Sequence, residues 1–176
     1  MINEPRLCTE CGAPQTLVRK TVSYPQSGLS NVRLQNVPVW QCANLHEEVE
    51  IPGTKQLHDV LTQLVLRKPV PLSGSELRFL RRQIKFSAKE FAERIGLTPV
   101  RWSQLENSTG AIGRRIDLLV RLYVAAVLAS RDGAVFPKDL VPLLDELESG
   151  AWDIGEHTLR HNNSAPADHE WEEASS

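Results

Sequence analysis

Two short cysteine clusters constrain this chain more than any other feature. Cys8-Thr9-Glu10-Cys11-Gly12 stands near the start, and Cys42-Ala43-Asn44-Leu45-His46 answers it far along the chain. Between them, runs such as Leu17-Val18-Arg19 and Val37-Pro38-Val39-Trp40 are punctuated by Pro25, Gly28 and Asn36, which predicts strands and turns with no long helix. So few apolar residues promise a small core, and small cores usually need a staple. Zinc suits the pattern, because cysteines three apart around a turn can aim both thiolates at one ion. The second cluster is not a CxxC, since Leu45 stands where the fourth cysteine would be. His46 then completes a C-x3-H set with Cys8, Cys11 and Cys42; His58 and Glu47 are alternative fourth ligands, and a decayed site with Cys42 as a buried thiol is the bland reading. On this view, metal removal unfolds residues 1–52.

The three cysteines read as ligands in a reducing compartment better than as a disulfide framework. No basic and apolar leader and no membrane-length apolar run is present, so a cytoplasmic protein is expected. An enzyme is not. The His-x-Glu and Pro-Cys-x-x-Cys order of zinc deaminases does not occur, and neither does HExxH or Gly-x-Ser-x-Gly.

Beyond Ile51-Pro52-Gly53 the periodicity changes. Leu57, Val60, Leu61, Leu64 and Val65 recur at helical spacing behind Thr54, and Lys68-Pro69-Val70-Pro71 then predicts a short stiff linker. Two capping boxes follow, Ser73-Gly74-Ser75-Glu76 and Ser87-Ala88-Lys89-Glu90, each opening a short helix. Gly96 is placed to end the second, and Thr98-Pro99 starts a third as cap and first helical residue. Two helices joined by so tight a turn have helix-turn-helix spacing. Ile116, Leu119, Val120, Tyr123 and Val127 predict a fourth, longer helix.

In the third helix Trp102 and Leu105 must face inward, which turns Pro99, Val100, Arg101, Ser103 and Gln104 outward near its N-terminal end. Arg101 can pair with guanine, Gln104 with adenine, and Val100 can meet a thymine methyl. Thr98, Lys89, Arg114 and Arg115 are better placed for phosphates. The charge pattern agrees: residues 73–116 hold nine Lys/Arg against four acids, whereas residues 139–176 hold one against ten. A basic middle with an acidic end suits a chain whose centre meets a polyanion.

The order of features resembles the MqsA-type (YgiT-type) zinc-finger/helix-turn-helix antitoxins. The resemblance rests on Cys8-x-x-Cys11-Gly12, Val37-Pro38-Val39-Trp40-x-Cys42, Glu47-Glu48-Val49-Glu50-Ile51-Pro52, and the segment from Gly96-Leu97-Thr98 to Glu106-Asn107. It covers residues 5–130. It implies an α+β chain with a small zinc-ribbon-like N-terminal domain followed by an all-α Xre/lambda-repressor-like helix-turn-helix domain. It also implies a homodimer on a palindromic double-stranded operator and a ribonuclease toxin as partner of the N-terminal domain. Two departures stand out: Leu45 replaces a cysteine, and Ala88 stands where Xre-like domains often carry a DNA-contacting Gln.

The expected organisation is therefore a zinc domain over 1–52, a helix and Pro-rich linker over 53–72, the DNA-binding domain over 73–130, an extra helix within 131–159 around Asp139 to Leu147, and a disordered acidic tail over 160–176. The expected function is a sequence-specific transcriptional repressor acting as the antitoxin of a type II pair. A stand-alone zinc-containing regulator is the alternative, and an interaction adaptor that has lost DNA binding is a third.

Overall fold

The computed structural model describes residues 6–110, 112–132, 156–162 and 170–174. The chain divides into two compact units, one drawn from 1–24, 32–60 and 156–176, the other from 25–31 and 61–155.

The first unit is a mixed five-stranded sheet. β1 (Gln15–Ser23) and β2 (Val32–Cys42) pair antiparallel from Gln15↔Cys42 to Ser23↔Arg33, with a register shift between Lys20 and Val22. β3 (Glu47–Val49) returns antiparallel along the end of β2. β4 (His157–Asn162) lies parallel to the start of β2, and β5 (Glu170–Glu173) pairs antiparallel with β4. Alternation along β2 buries Val32 and Leu34 and, beyond the register shift, Val37 and Val39; β4 and β5 add Leu159, His161 and Trp171 to the buried set. Asn36, in the left-handed region at φ 59°, donates through Nδ2 to His161 O at 2.9 Å. Trp171 Nε1 donates to Pro52 O at 3.0 Å. α1 (Thr54–Arg67) begins in this unit, where Leu57 is buried and His58 Nε2 lies 2.9 Å from the Tyr24 hydroxyl.

The second unit is mostly helical: α2 (Gly74–Gln83), α3 (Ala88–Arg94), α4 (Pro99–Glu106) and α5 (Arg114–Asp132). Both capping boxes form, with Ser73 and Glu76 opening α2 and Ser87 and Glu90 opening α3. Gly74 cannot be larger, because a Cβ there would sit 2.6 Å from Leu105 O and 2.7 Å from Glu106 O. Leu77, Leu80, Phe91, Trp102, Val120 and Val124 form the core, with the Phe91 and Trp102 rings edge-on at 4.8 Å. Three buried ion pairs cross it. Lys68 meets Glu76, and Arg81 meets Glu106, which also accepts from Trp102 Nε1 at 2.8 Å. Arg121, fully buried, pairs with Asp117 and donates to the carbonyls of Leu66, Lys68 and Val70.

This architecture overturns the expected fold class. The chain does not build a self-contained zinc ribbon followed by a separate all-α Xre-like domain. The sheet draws β4 and β5 from beyond residue 156, and the helical unit takes in residues 25–31, where Ser27 and Leu29 are buried. Pairing with β2 supplies the partner that the polar strand His157–Asn162 needs, so β4 crosses the boundary expected at 159–160, and the end of β4 and all of β5 lie in the segment expected to be a disordered tail. The segment expected as a short stiff linker packs into the helical unit: Lys68 and Leu72 are buried, and Leu72 N donates to Asp117 at 2.6 Å. The helix expected at Asp139 to Leu147 lies outside the described residues. Among the described residues, no helix is long and apolar enough to cross a membrane.

Candidate metal centre and nucleic-acid face

The sheet register brings the two cysteine clusters together. Gln15 opens β1 opposite Cys42, the last residue of β2, so the loop before β1 meets the turn after β2. The first loop is closed by Cys8 N donating to Ala13 O and Gly12 N donating to Cys8 O, both at 2.9 Å, with Gly12 at φ 70°. That left-handed conformation is inexpensive only for glycine. In the second turn Leu45 N donates to Cys42 O at 3.0 Å and Cys42 N to His46 O at 3.2 Å. Leu45 itself is left-handed at φ 64° and 74% exposed. A turn one residue longer than CxxC needs this conformation to swing His46 back beside Cys42.

Cys8, Cys11, Cys42 and His46 thereby place one donor atom each within 4.8 Å of the others. Four donors around one tetrahedral zinc, at ~2.3 Å for sulfur and ~2.0 Å for nitrogen, stand ~3.8 Å apart sulfur to sulfur and ~3.5 Å sulfur to nitrogen. Cys11 Sγ and Cys42 Sγ are 3.7 Å apart, and Cys8 Sγ is 3.6 Å from His46 Nδ1. A disulfide needs ~2.05 Å, so these spacings fit chelation and not a bridge. The group can hold a metal ion and is compatible with zinc. Neither alternative fourth ligand joins it: His58 is on α1 beside Tyr24, and Glu47 is paired with Lys20 at 2.6 Å.

Electrostatics prepare the thiols unequally. The Ala13 backbone N–H, the Asn44 side chain and His46 bring the Cys11 thiol down to about 6, so it is largely thiolate at neutral pH. For Cys8 the Glu10 backbone N–H favours the thiolate, but burial and the neighbouring Cys11 and Cys42 thiols outweigh it and raise the pKa. Glu48, two residues after His46, braces the first loop. It accepts from Arg6 at 2.8 Å, from Thr9 Oγ1 at 3.0 Å, from Thr9 N at 3.3 Å and from Gln15 Nε2 at 3.1 Å. The Arg6 guanidinium and the Thr9 donors hold its carboxyl down at about 2. Sequence reading did not single out Glu48; its place just beyond His46 was the available signal.

In the second unit, α4 is anchored by Trp102 and Leu105, both buried, while Thr98, Pro99, Val100, Arg101, Ser103 and Gln104 are exposed. Val100 is 69% exposed. Arg101 Nη1 lies 3.5 Å from Gln104 Oε1, side by side on the outer face. Thr98 is engaged as the cap, accepting from Arg101 N at 3.2 Å. Lys89 is exposed in the first turn of α3, and Arg114 and Arg115 are exposed at the start of α5. Arg78, which sequence reading counted only as charge, stands beside this face and donates to Asn107 Oδ1 at 2.6 Å. With Arg81–Glu106 buried as a pair and Glu76 neutralised by Lys68, residues 73–116 leave eight basic side chains against two acids, a balance of +6.

No family model matches the chain, and neither a curated protein nor a solved structure does.

Proposed function

We propose that this chain is a zinc-stapled, sequence-specific DNA-binding repressor and not an enzyme. One observation carries the reading: α4 turns an apolar tip, a guanidinium and an amide outward from a buried Trp102–Leu105 anchor, within a segment rich in basic residues. Arg101 is the reader of guanine, Gln104 of adenine, and Val100 of a thymine methyl, with Pro99 and Ser103 lining the same face. Lys89, Arg114 and Arg115 hold phosphates, and Thr98 serves them through the helix start that it caps. One short helix carries little sequence information, so two copies on a palindromic site are the expected arrangement.

The resemblance to MqsA-type antitoxins extends the proposal. The sheet unit would then engage a ribonuclease toxin, and the chain would regulate its own operon in the cytoplasm. A stand-alone regulator differs only in lacking that partner. Selection of duplexes from a random library by the full chain tests DNA reading. An enriched palindrome is expected, and Arg101→Ala should cost on the order of 1–3 kcal/mol on it while leaving a scrambled duplex unaffected. Absence of enrichment, or equal losses on both duplexes, removes Arg101 as a base reader. Elemental analysis of the protein as purified should find one zinc per chain.

A further inference from the structure

We infer that His46 takes the metal through Nδ1, and that Glu10 is the positioning residue that fixes this choice by accepting the proton of Nε2. The inference rests on the metal reading above and adds which atom binds and what aims it. An imidazole ligand must be neutral, with a lone pair on one nitrogen and the proton on the other. His46 Nδ1 is the nitrogen turned into the thiol group, 3.6 Å from Cys8 Sγ. Its Nε2 points the opposite way, 3.5 Å from Glu10 Oε2. Histidine ligands generally give their outer N–H to a carboxylate, carbonyl or water, which sets the tautomer and ring orientation.

Glu10 belongs to the Cys8-x-x-Cys11 loop, so it works at both ends of the site. Its backbone N–H favours the Cys8 thiolate, and its carboxylate faces the ring of the ligand supplied by the other turn. Metal on Nδ1 makes the Nε2 proton more acidic and the N–H a stronger donor, so the contact should shorten on loading. The His46 side chain is 36% exposed and that of Glu10 68%, so water competes for the same proton. The effect of losing Glu10 therefore belongs at the low end of outer-ligand losses, about tenfold in metal affinity.

The test uses the full chain with isotope-labelled histidine nitrogens, loaded with zinc and, separately, with NMR-active cadmium. The expected result is coupling from cadmium to Nδ1 of His46, with the proton on Nε2. Chelator competition should show zinc affinity falling about tenfold in Glu10→Ala, with Glu10→Gln between it and the unaltered chain, since an amide oxygen can still accept. The Nε2 resonance should shift in both variants, a change that a purely structural role of Glu10 would not produce. Coupling to Nε2, or a Glu10→Ala chain with unchanged affinity and imidazole spectrum, overturns the inference. An unaltered chain that takes up neither metal overturns the metal reading itself, and is told apart by that outcome.

Discussion

Charge organises both units of the molecule, at the surface in one and in the interior in the other. In the sheet unit, Glu48 and Arg6 sit at the rim of the cysteine cluster, exchanging bonds with Thr9 and Gln15 in reach of water. In the helical unit, Arg121–Asp117, Arg81–Glu106 and Lys68–Glu76 are removed from water and tied to backbone groups. A rim pair is screened and contributes little by itself. A buried pair is costly to break, because the survivor is left charged without a partner. The helical unit therefore carries its own polar framework, whereas the two cysteine turns have only short loops and a rim brace. The turns are where a metal ion has most to add.

The largest expected effect falls on the buried framework. Asp117→Ala removes the partner of Arg121 and the acceptor of Leu72 N, and should destabilise the helical unit by about 3–5 kcal/mol. Denaturant unfolding followed by helical circular dichroism reads it, and zinc content should not change. A loss of metal in this variant would mean that the two units depend on one another more than the comparison allows.

Acid should act on the sheet unit next. Cys11, at about 6, contributes as a thiolate above that pH, and its contribution is lost as pH falls through it. Glu48, at about 2, keeps its bracing contribution fully above the ordinary carboxylate range near 4.5 and loses it only as pH falls towards 2. Zinc affinity measured against pH should thus fall more steeply below about 6, before the brace is touched. Cys11→Ala should make that change of slope smaller. A profile without a break near 6 contradicts the assignment.

A smaller effect tests the geometry of the second turn. Leu45 holds a left-handed conformation that costs a non-glycine residue roughly 1–2 kcal/mol, while glycine adds roughly 0.5–1 kcal/mol of chain entropy to be lost. Leu45→Gly should therefore leave a net gain of roughly 0–1.5 kcal/mol, read as slightly tighter zinc binding. Weaker binding would mean that the Leu45 side chain contributes something its exposure does not suggest.

Local chemistry explains what was legible in the sequence. Both capping boxes, the Thr98-Pro99 start and the inward Trp102 and Leu105 follow from rules that act within a few residues, and each appears where the residues placed it. The Cys8, Cys11, Cys42 and His46 grouping was legible because ligand chemistry restricts which residues can meet. Pairing over long sequence distances was not. His157–Asn162 offers little apolar alternation, and it becomes a strand through its neighbours β2 and β5. Asp117 and Arg121, four apart among apolar residues, signalled burial only in hindsight, since surface helices use the same spacing. The β4 and β5 strands also change what a metal ion would have to do. With Leu159, His161 and Trp171 buried alongside Val32, Leu34, Val37 and Val39, the sheet has a core beyond residues 1–52. A metal ion held by the four residues would have only the two turns to fix.

Hydrogen exchange on the full chain, before and after zinc is removed by a chelator, tests that claim most directly. Protection should be lost at the amides of Cys8, Gly12, Cys42 and Leu45 and at their neighbours in the two turns. The amides of β2 that pair with β4, and those of α2 to α5, should keep theirs. Unchanged protection in the turns after chelation, or collapse of the whole sheet, would contradict it.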